Sequence, residues 1–197
     1  MSLDFKKIAS KEIQPKDFKL SKINLKKVSD ILKRYPKSYP ESAIMPVLTL
    51  VQEQNNGWVP RKALEYVSNI LGVSEMRVLE IATFYSMYNL SPVGETHIEV
   101  CTTTPCMLRG SEKVLEKCKK VLNLDVGQIT SDGKFSLIEV ECLGACVNAP
   151  VIRVGDKYFE DLDSDIMEKI LDKLENNKNI SKGSQISRKG SEPILKK

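Results

Sequence analysis

The sequence predicts an α+β protein in which a helical bundle precedes a single β-sheet covered by helices. Three observations carry this prediction. Apolar residues recur at helical spacing up to about residue 90. From Thr96 the pattern changes to strict alternation, which is typical of a strand. Four cysteines then follow predicted strands in two close pairs, Cys101 with Cys106 and Cys142 with Cys146.

The composition is that of a soluble globular protein. Of the 197 residues, 41 % are hydrophobic and 28 % are charged. No run of about 18 apolar residues occurs, which excludes a transmembrane helix, and no basic stripe with interleaved aromatic residues indicates nucleic-acid binding. The first 20 residues lack the apolar core of a secretory signal and contain acidic residues that a mitochondrial transit peptide avoids, so we expect a cytosolic or already processed protein.

Four amphipathic helices are predicted in the first half of the chain, each from apolar residues at helical spacing and from a capping or stopping residue. Gly72 is expected to supply the left-handed residue that closes the third. The fourth is apolar over so much of its circumference that we expect it to be buried on more than one side. The four are residues 24–35, Ser42 to about Gln54, Pro60 to Leu71, and Ser74 to about residue 90.

Aromatic residues of this half have two interpretations. They could form a flavin or nucleotide site, but the chain has no glycine-rich phosphate loop, so core packing is favoured. The residues concerned are Trp58, Phe84, Tyr85 and Tyr88.

The second half predicts a strand, a helix, two hairpins and a last helix. The strand from Thr96 delivers Cys101 at its carboxyl end. A helix starts near Ser111, and Asp132-Gly133 and Gly155-Asp156 each mark a hairpin turn. The last helix begins at Asp163 or Ser164 and runs to about Leu174, after which apolar residues thin out. The predicted parts are a polar N-terminal segment (1–23), a helical domain (24–90), a sheet domain (91–175) and a polar tail (176–197) that is disordered or bound to a partner.

Four thiols in two pairs predict a centre for one soft metal group. The chain has five cysteines, an odd number that argues against a disulfide framework. Cys118 lies on the apolar stripe of its helix and is interpreted as a buried hydrophobe. Zinc and a [2Fe-2S] cluster both accept four sulfurs, and gaps of four and three residues within the pairs exclude neither. The single histidine, His97, rules out ligation by two histidines.

Motifs around the cysteines resemble one known family. The most specific are Asp132-Gly-Lys-Phe135-Ser136 and Cys142-Leu-Gly-Ala-Cys146-Val-Asn-Ala-Pro150. Together with Ala82-Thr-Phe-Tyr85, Pro92-Val-Gly94 and Thr103-Thr-Pro-Cys106, they are similar to the small [2Fe-2S] subunit of the NADH-oxidising module of respiratory complex I, the 24 kDa subunit family. Thr102 is a departure, since relatives often have glycine there.

The resemblance implies a thioredoxin-like [2Fe-2S] ferredoxin domain after the helical bundle, with a cis bond before Pro150. It implies one [2Fe-2S] cluster, with Cys101 and Cys106 on one iron and Cys142 and Cys146 on the other. It also implies a flavoprotein partner that holds FMN and NADH, without a complete active site in this chain.

The same resemblance implies a peripheral subunit of the complex I arm, without membrane insertion, on the cytoplasmic side in bacteria or the matrix side in mitochondria. The tail motifs from Gly183 to Arg188 and from Ser191 to Pro193 are similar to the mitochondrial forms and their bacterial relatives. Two alternatives stay open. One is a subunit of an NAD-linked hydrogenase or formate dehydrogenase, and the other is a zinc-stapled interaction module.

Overall fold

Four α-helices form the first of the two units into which the chain divides, Met1–Val93 and Gly94–Lys197. The computed structural model describes residues 8–189. The buried faces of the four helices share one hydrophobic core, and Val47 and Leu48 are fully enclosed in it. Among the described helices none is both long and apolar enough to cross a membrane. The four are α1 (Lys22–Leu32), α2 (Ile44–Gln54), α3 (Arg61–Leu71) and α4 (Glu75–Phe84).

Local capping explains two of the helix ends as the sequence predicted. Ser74 caps α4 by accepting a hydrogen bond from the backbone N–H of Arg77 at 3.2 Å, as predicted. Gly72 ends α3 in the left-handed conformation, with φ of 66°, which is also as predicted. The prediction that Ser42 caps α2 is wrong, because Ser42 lies inside a short 3₁₀ helix, Pro40–Ala43, that leads directly into α2.

The C-terminal end of α4 differs from the prediction in length and burial. The helix ends at Phe84 because Tyr85 adopts an extended conformation, with ψ of 118°. Residues beyond this point no longer share the buried face of α4, and the side chain of Phe84 is 79 % exposed. Burial on more than one side is therefore wrong for this end of the helix. Tyr88 does return to the core, where its hydroxyl donates a hydrogen bond to the carbonyl oxygen of Met45 at 2.8 Å.

A mixed sheet forms the centre of the second unit, and α-helices pack against it. Its strand order is β2-β1-β3-β4-β5, with β1 parallel to β2, and β3 antiparallel to both β1 and β4. The strands are β1 (Thr96–Cys101), β2 (Phe135–Val140), β3 (Ile152–Val154), β4 (Lys157–Glu160) and β5 (Gly183–Ser184). The helices are α5 (Thr104–Leu108), α6 (Ser111–Leu122) and α7 (Ser164–Glu175).

The core of this unit lies between the sheet and the helices α6 and α7. Ile98 and Val100 of β1 are fully buried in it, together with Cys118 of α6 and Met167 of α7. Alternation along β1 therefore decides which side chains enter this core, because successive residues of a strand point to opposite faces. The combination of a helical bundle with a helix-covered mixed sheet confirms the predicted α+β class.

The two predicted hairpins have different outcomes. Strands β3 and β4 form the second hairpin through Gly155, as expected. The first is present as a short, irregular hairpin. Ile129 makes an antiparallel bridge to Ser136, and the backbone N–H of Thr130 donates to the carbonyl oxygen of Phe135 at 2.9 Å. The longer partner of β2 is β1, which pairs with it in parallel over six residue pairs. The bond between Ala149 and Pro150 is cis, as the resemblance implied.

The described part of the tail is ordered against the second unit, unlike the predicted disordered or partner-bound segment. Gly183 and Ser184 add β5 to the edge of the sheet beside β4. Ile180 is buried in the core of this unit. A short apolar anchor and main-chain pairing thus hold a segment whose composition is polar. The predicted motif from Ser191 to Pro193 and the first seven residues of the N-terminal segment lie outside the described residues.

Candidate metal centre

Parallel pairing of β1 and β2 brings the two cysteine pairs to one end of the sheet. Cys101 is in register with Val140, so the loop that begins at Cys142 leaves the sheet beside Cys101. The backbone N–H of Cys101 donates to the carbonyl oxygen of Val151 at 3.1 Å, which also fixes the start of β3 at this end. Strand register therefore places the two loops side by side.

A small cluster of side chains packs the two loops together. Cys101, Cys106, Ala149 and Val151 are buried in it, and Leu143 and Ala145 of the second loop pack against them. Cys106 is carried by α5, whose early Pro105 is compatible with the first turn of a helix. The structure thus brings the second loop into contact with the first pair of cysteines, as the sequence predicted.

The four thiols form two close pairs that differ in exposure. In the outer pair the sulfurs of Cys142 and Cys146 are 3.5 Å apart, and both residues are exposed. In the inner pair Cys106 donates a hydrogen bond to Cys101, and both residues are 1 % exposed. All five cysteines of the chain lie within the described residues and are unbridged.

Polar groups of the two loops are directed at the sulfurs. The backbone N–H of Gly144 donates to the sulfur of Cys142 at 3.3 Å. The hydroxyl of Thr103 lies 3.4 Å from the sulfur of Cys101, and the backbone N–H of Leu143 also donates to that sulfur. Thr103 and Leu143 were not predicted as contributors, and the signal for them was their place within the two cysteine motifs.

These hydrogen bonds shift the acidity of the inner pair in opposite directions. Burial raises the pKa of Cys101, but hydrogen bonds from Thr103 and Leu143 outweigh it and hold that pKa below its ordinary value. Burial raises the pKa of Cys106 to about 12, and its hydrogen bond to Cys101 adds to the rise. Hydrogen bonding to Cys142 likewise raises the pKa of Cys146. Thiolate character in the inner pair is therefore concentrated on Cys101.

The arrangement fits a dinuclear cluster. Among the described residues no group of three or more His, Cys, Asp and Glu side chains is arranged to hold a single metal ion. What the structure presents instead is two thiol pairs, and each iron of a [2Fe-2S] cluster takes two thiolates. N–H and O–H groups directed at sulfur suit an iron–sulfur centre, because they offset its negative charge. The donor set is compatible with a [2Fe-2S] cluster.

Two other candidate residues lie away from this set. Cys118 lies on the buried face of α6, as predicted, and burial raises the pKa of its thiol to about 12. His97 is a partly buried residue of β1 whose Nδ1 lies 2.7 Å from the hydroxyl of Ser136. That contact links His97 of β1 to the neighbouring strand β2.

Comparison with known proteins gives one family and several similar relatives. Residues 28–175 match the model of the thioredoxin-like [2Fe-2S] ferredoxin family. The chain is 54 % identical over 160 residues to a Rickettsia bellii protein named as a subunit of NADH-quinone oxidoreductase, covering 81 % of this chain and 96 % of that protein. It is 47 % identical over 175 residues to the mitochondrial NADH dehydrogenase [ubiquinone] flavoprotein 2 of Dictyostelium discoideum, covering 89 % of this chain and 71 % of that protein.

A solved structure with a similar fold is a crystal structure of an NAD⁺-reducing [NiFe]-hydrogenase in its air-oxidized state. The similarity has a TM-score of 0.56 at 17 % sequence identity and covers 66 % of this chain but 23 % of the hydrogenase chain. At this identity the likeness concerns the fold alone.

Proposed function

The chain belongs to the thioredoxin-like [2Fe-2S] ferredoxin family, and from this premise we propose that it is an electron-transfer subunit of an NADH-quinone oxidoreductase. The observation that supports the proposal is the contact between the loop of the second cysteine pair and the buried pair Cys101 and Cys106, at one end of the β1–β2 pair. Relatives that are 47 % and 54 % identical and carry the name of this oxidoreductase or of NADH dehydrogenase support it. We propose Cys101, Cys106, Cys142 and Cys146 as the four ligands of one [2Fe-2S] cluster.

The cluster, when bound, supplies one-electron redox chemistry, and the chain tunes and shields it. The inner pair, Cys101 and Cys106, is closed off from water, which lowers the local dielectric constant on that side. The N–H groups of Leu143 and Gly144 and the hydroxyl of Thr103 stabilise negative charge on sulfur. The outer pair, Cys142 and Cys146, is exposed, so we infer that electrons pass through this side.

The proposed partner is a flavoprotein subunit that binds NADH and FMN. An exposed outer pair of ligands supports this assignment, since electron transfer requires close approach of the two redox groups. We propose that the helical domain and the end of the tail provide the remaining contacts to the complex. The complex would place this chain as a peripheral subunit on the cytoplasmic side of the bacterial membrane or on the matrix side in mitochondria.

Metal analysis of the full chain is the experiment that tests the cluster. Protein purified without oxygen is expected to be brown, to contain about two irons and two labile sulfides per chain, and to give an EPR signal on reduction. A colourless protein with one zinc and no redox activity would contradict the proposal and favour a zinc-stapled module.

Two buried cysteines provide a matched pair of variants for the ligand assignment. Cys106→Ser is expected to lose most of the iron, because it removes a proposed ligand from the inner pair. Cys118→Ala is expected to keep full iron and sulfide content and to cost about 1 kcal/mol of stability, since it leaves only a small cavity in the core. Equal iron content in the two variants would refute the assignment of Cys106.

The choice of complex is tested by reconstitution. The full chain is expected to restore NADH-dependent quinone reduction to an NADH-quinone oxidoreductase preparation from which the corresponding subunit has been removed. Restoration of hydrogen-dependent NAD⁺ reduction alone, in a matched hydrogenase preparation, would favour the hydrogenase alternative. The similarity to the hydrogenase concerns the fold and does not favour that outcome.

A further inference from the structure

Arg188, from the tail, is tied to the loop that carries Cys146. Its Nη2 atom donates to the carbonyl oxygen of Val147 at 2.8 Å and to Oδ1 of Asn148 at 2.5 Å. The same atom lies 2.6 Å from Oδ1 of Asp161, and Nε of Arg188 donates to Oδ2 of Asp161 at 3.2 Å. The guanidinium therefore joins the tail, the end of β4 and the cysteine loop at one point.

The loop itself is a single 3₁₀ turn, Cys146–Asn148, that begins with the cysteine. Asn148 anchors it from the other side, because its Nδ2 donates to Oε2 of Glu160 at 2.6 Å. The backbone N–H of Asp161 donates to the carbonyl oxygen of Asn148 at 2.7 Å. Asn148 thus uses both ends of its side chain and its carbonyl oxygen to fix the turn.

Burial makes this set of contacts costly to disrupt. The side chain of Asp161 is 1 % exposed and that of Arg188 is 11 % exposed. Removing the cation from a buried carboxylate strongly destabilises the fold. A carboxylate that accepts two hydrogen bonds from one arginine is held in a fixed position. Arg188 is therefore not a solvated tail residue, although the sequence around it is polar.

Strand β5 delivers Arg188 to this position. Main-chain pairing continues beyond β5, where the backbone N–H of Gln185 donates to the carbonyl oxygen of Glu160 at 3.0 Å. The chain then turns, and the backbone N–H of Arg188 donates to the hydroxyl of Ser184 at 3.0 Å. Pairing with the edge of the sheet thus directs the tail toward the end where the cysteines lie.

We propose that Arg188 is a positioning residue that anchors the Cys146 loop to the end of β4 and so fixes the outer thiol pair for the cluster. The proposal rests on the proposed function, because it assumes that Cys142 and Cys146 are cluster ligands. Arg188 touches the loop through Val147 and Asn148, one and two residues beyond Cys146, so a change there moves a proposed ligand without removing it.

The test compares the full chain with two variants, all purified without oxygen. Arg188→Gln breaks the ion pair and the loop contacts, whereas Asn148→Ala removes the loop side chain and leaves the Arg188–Asp161 ion pair intact. Both are expected to shift the EPR g values of the reduced cluster. Both should also release iron to a chelator faster, by roughly tenfold for Arg188→Gln, as loss of an outer-shell partner of a metal site does. Arg188→Lys keeps the positive charge but loses the several N–H donors of the guanidinium. It is therefore expected to restore the g values and the iron release only in part.

A matched control separates this role from general stability. Lys117→Gln removes another ion pair of the same unit, the 2.7 Å contact with Glu168 between α6 and α7. It is expected to leave the g values and iron release unchanged. Wild-type g values and release rates in Arg188→Gln would overturn the proposal. If Arg188→Gln does not fold, unchanged g values and iron release in Asn148→Ala overturn the proposal for Arg188. A wild-type chain without a [2Fe-2S] cluster refutes the proposed function instead.

Discussion

His97 is the one histidine of the chain and a partly buried group of β1. The hydroxyl of Ser136 accepts a hydrogen bond from the backbone N–H of Gly94 at 2.9 Å and lies 2.7 Å from Nδ1 of His97. Nε2 of His97 has no hydrogen-bond partner among the described residues and lies 3.8 Å from the carboxylate of Glu99, which is itself paired with Arg153. Burial lowers the pKa of His97, Glu99 raises it in part, and Arg153 lowers it further. The neutral ring is therefore the folded form.

This depressed pKa predicts that the protein loses stability as the pH falls. The unfolded chain binds a proton at His97 with the ordinary pKa of about 6.5, whereas the folded chain resists protonation. Stability should decrease below about pH 6.5, by at most about 1.4 kcal/mol per pH unit from this residue. The urea midpoint of wild type should fall more between pH values of about 7.5 and 5.5 than that of His97→Gln, in which Glu99 and Arg153 are retained. Equal shifts in the two proteins would contradict the prediction.

At the scale of elements, the contact between β1 and β2 depends on a close approach before β1 begins. A Cβ placed on Gly94 would lie 2.4 Å from the backbone carbon of Phe135 and 2.7 Å from the nitrogen of Ser136. Only glycine permits so close an approach, because the atoms that a Cβ would meet belong to the backbone and cannot move aside as a side chain can. The same approach sets the register that aligns Cys101 with Val140.

Gly94→Ala is therefore expected to destabilise the second unit by about 1–3 kcal/mol, as overpacking does. Gly133→Ala is the control, because a Cβ there meets no atom within 4 Å and only the left-handed φ of 75° is strained. That control should cost roughly 1 kcal/mol. Urea unfolding of the full-length variants measures both, and the prediction fails if Gly94→Ala is no more damaging than Gly133→Ala.

Elements with a strong local signal could be predicted from the sequence, whereas those set by distant contacts could not. Alternation identified β1, and Ser74 and Gly72 identified the ends of α4 and α3, because caps act within one turn. Strand β5 has two residues and no period, so only its partner β4 reveals it. The outward turn after Phe84 was missed because the aromatic residues keep helical spacing although the backbone leaves the helix.

The candidate site divides in the same way. Two cysteine pairs at strand ends predicted that their loops lie side by side, and Leu143 and Ala145 do pack against Cys101 and Cys106. The ordering of acidity within the inner pair was not predictable, because it depends on the burial of both thiols and on the groups that approach Cys101, first Thr103 and then Leu143 of the other loop. Arg188 was missed for the same reason, since its partner Asp161 is not near it in sequence and the surrounding tail is polar.

At the scale of the whole molecule, each unit has a hydrophobic core of its own. The first core contains residues from Phe18 to Leu90, and the second contains residues from Ile98 to Ile180. The small cluster around Cys101 and Cys106 belongs wholly to the second unit. A domain with its own core has the main requirement for folding alone, since burial of apolar surface is the dominant favourable term.

Separate expression of the two units is the final prediction. A fragment of residues 94–197 is expected to fold and to carry as much iron and sulfide per chain as the full chain, because the proposed ligands, the hydrogen bonds to sulfur and the Arg188 contacts all lie within it. A fragment of residues 1–93 should be helical by circular dichroism and contain no iron, which makes it the matched control. Two outcomes would contradict the prediction. The fragment of residues 94–197 could stay colourless while the full chain is brown, or it could take up iron only after the helical fragment is added. Either result would mean that the cluster depends on the helical unit.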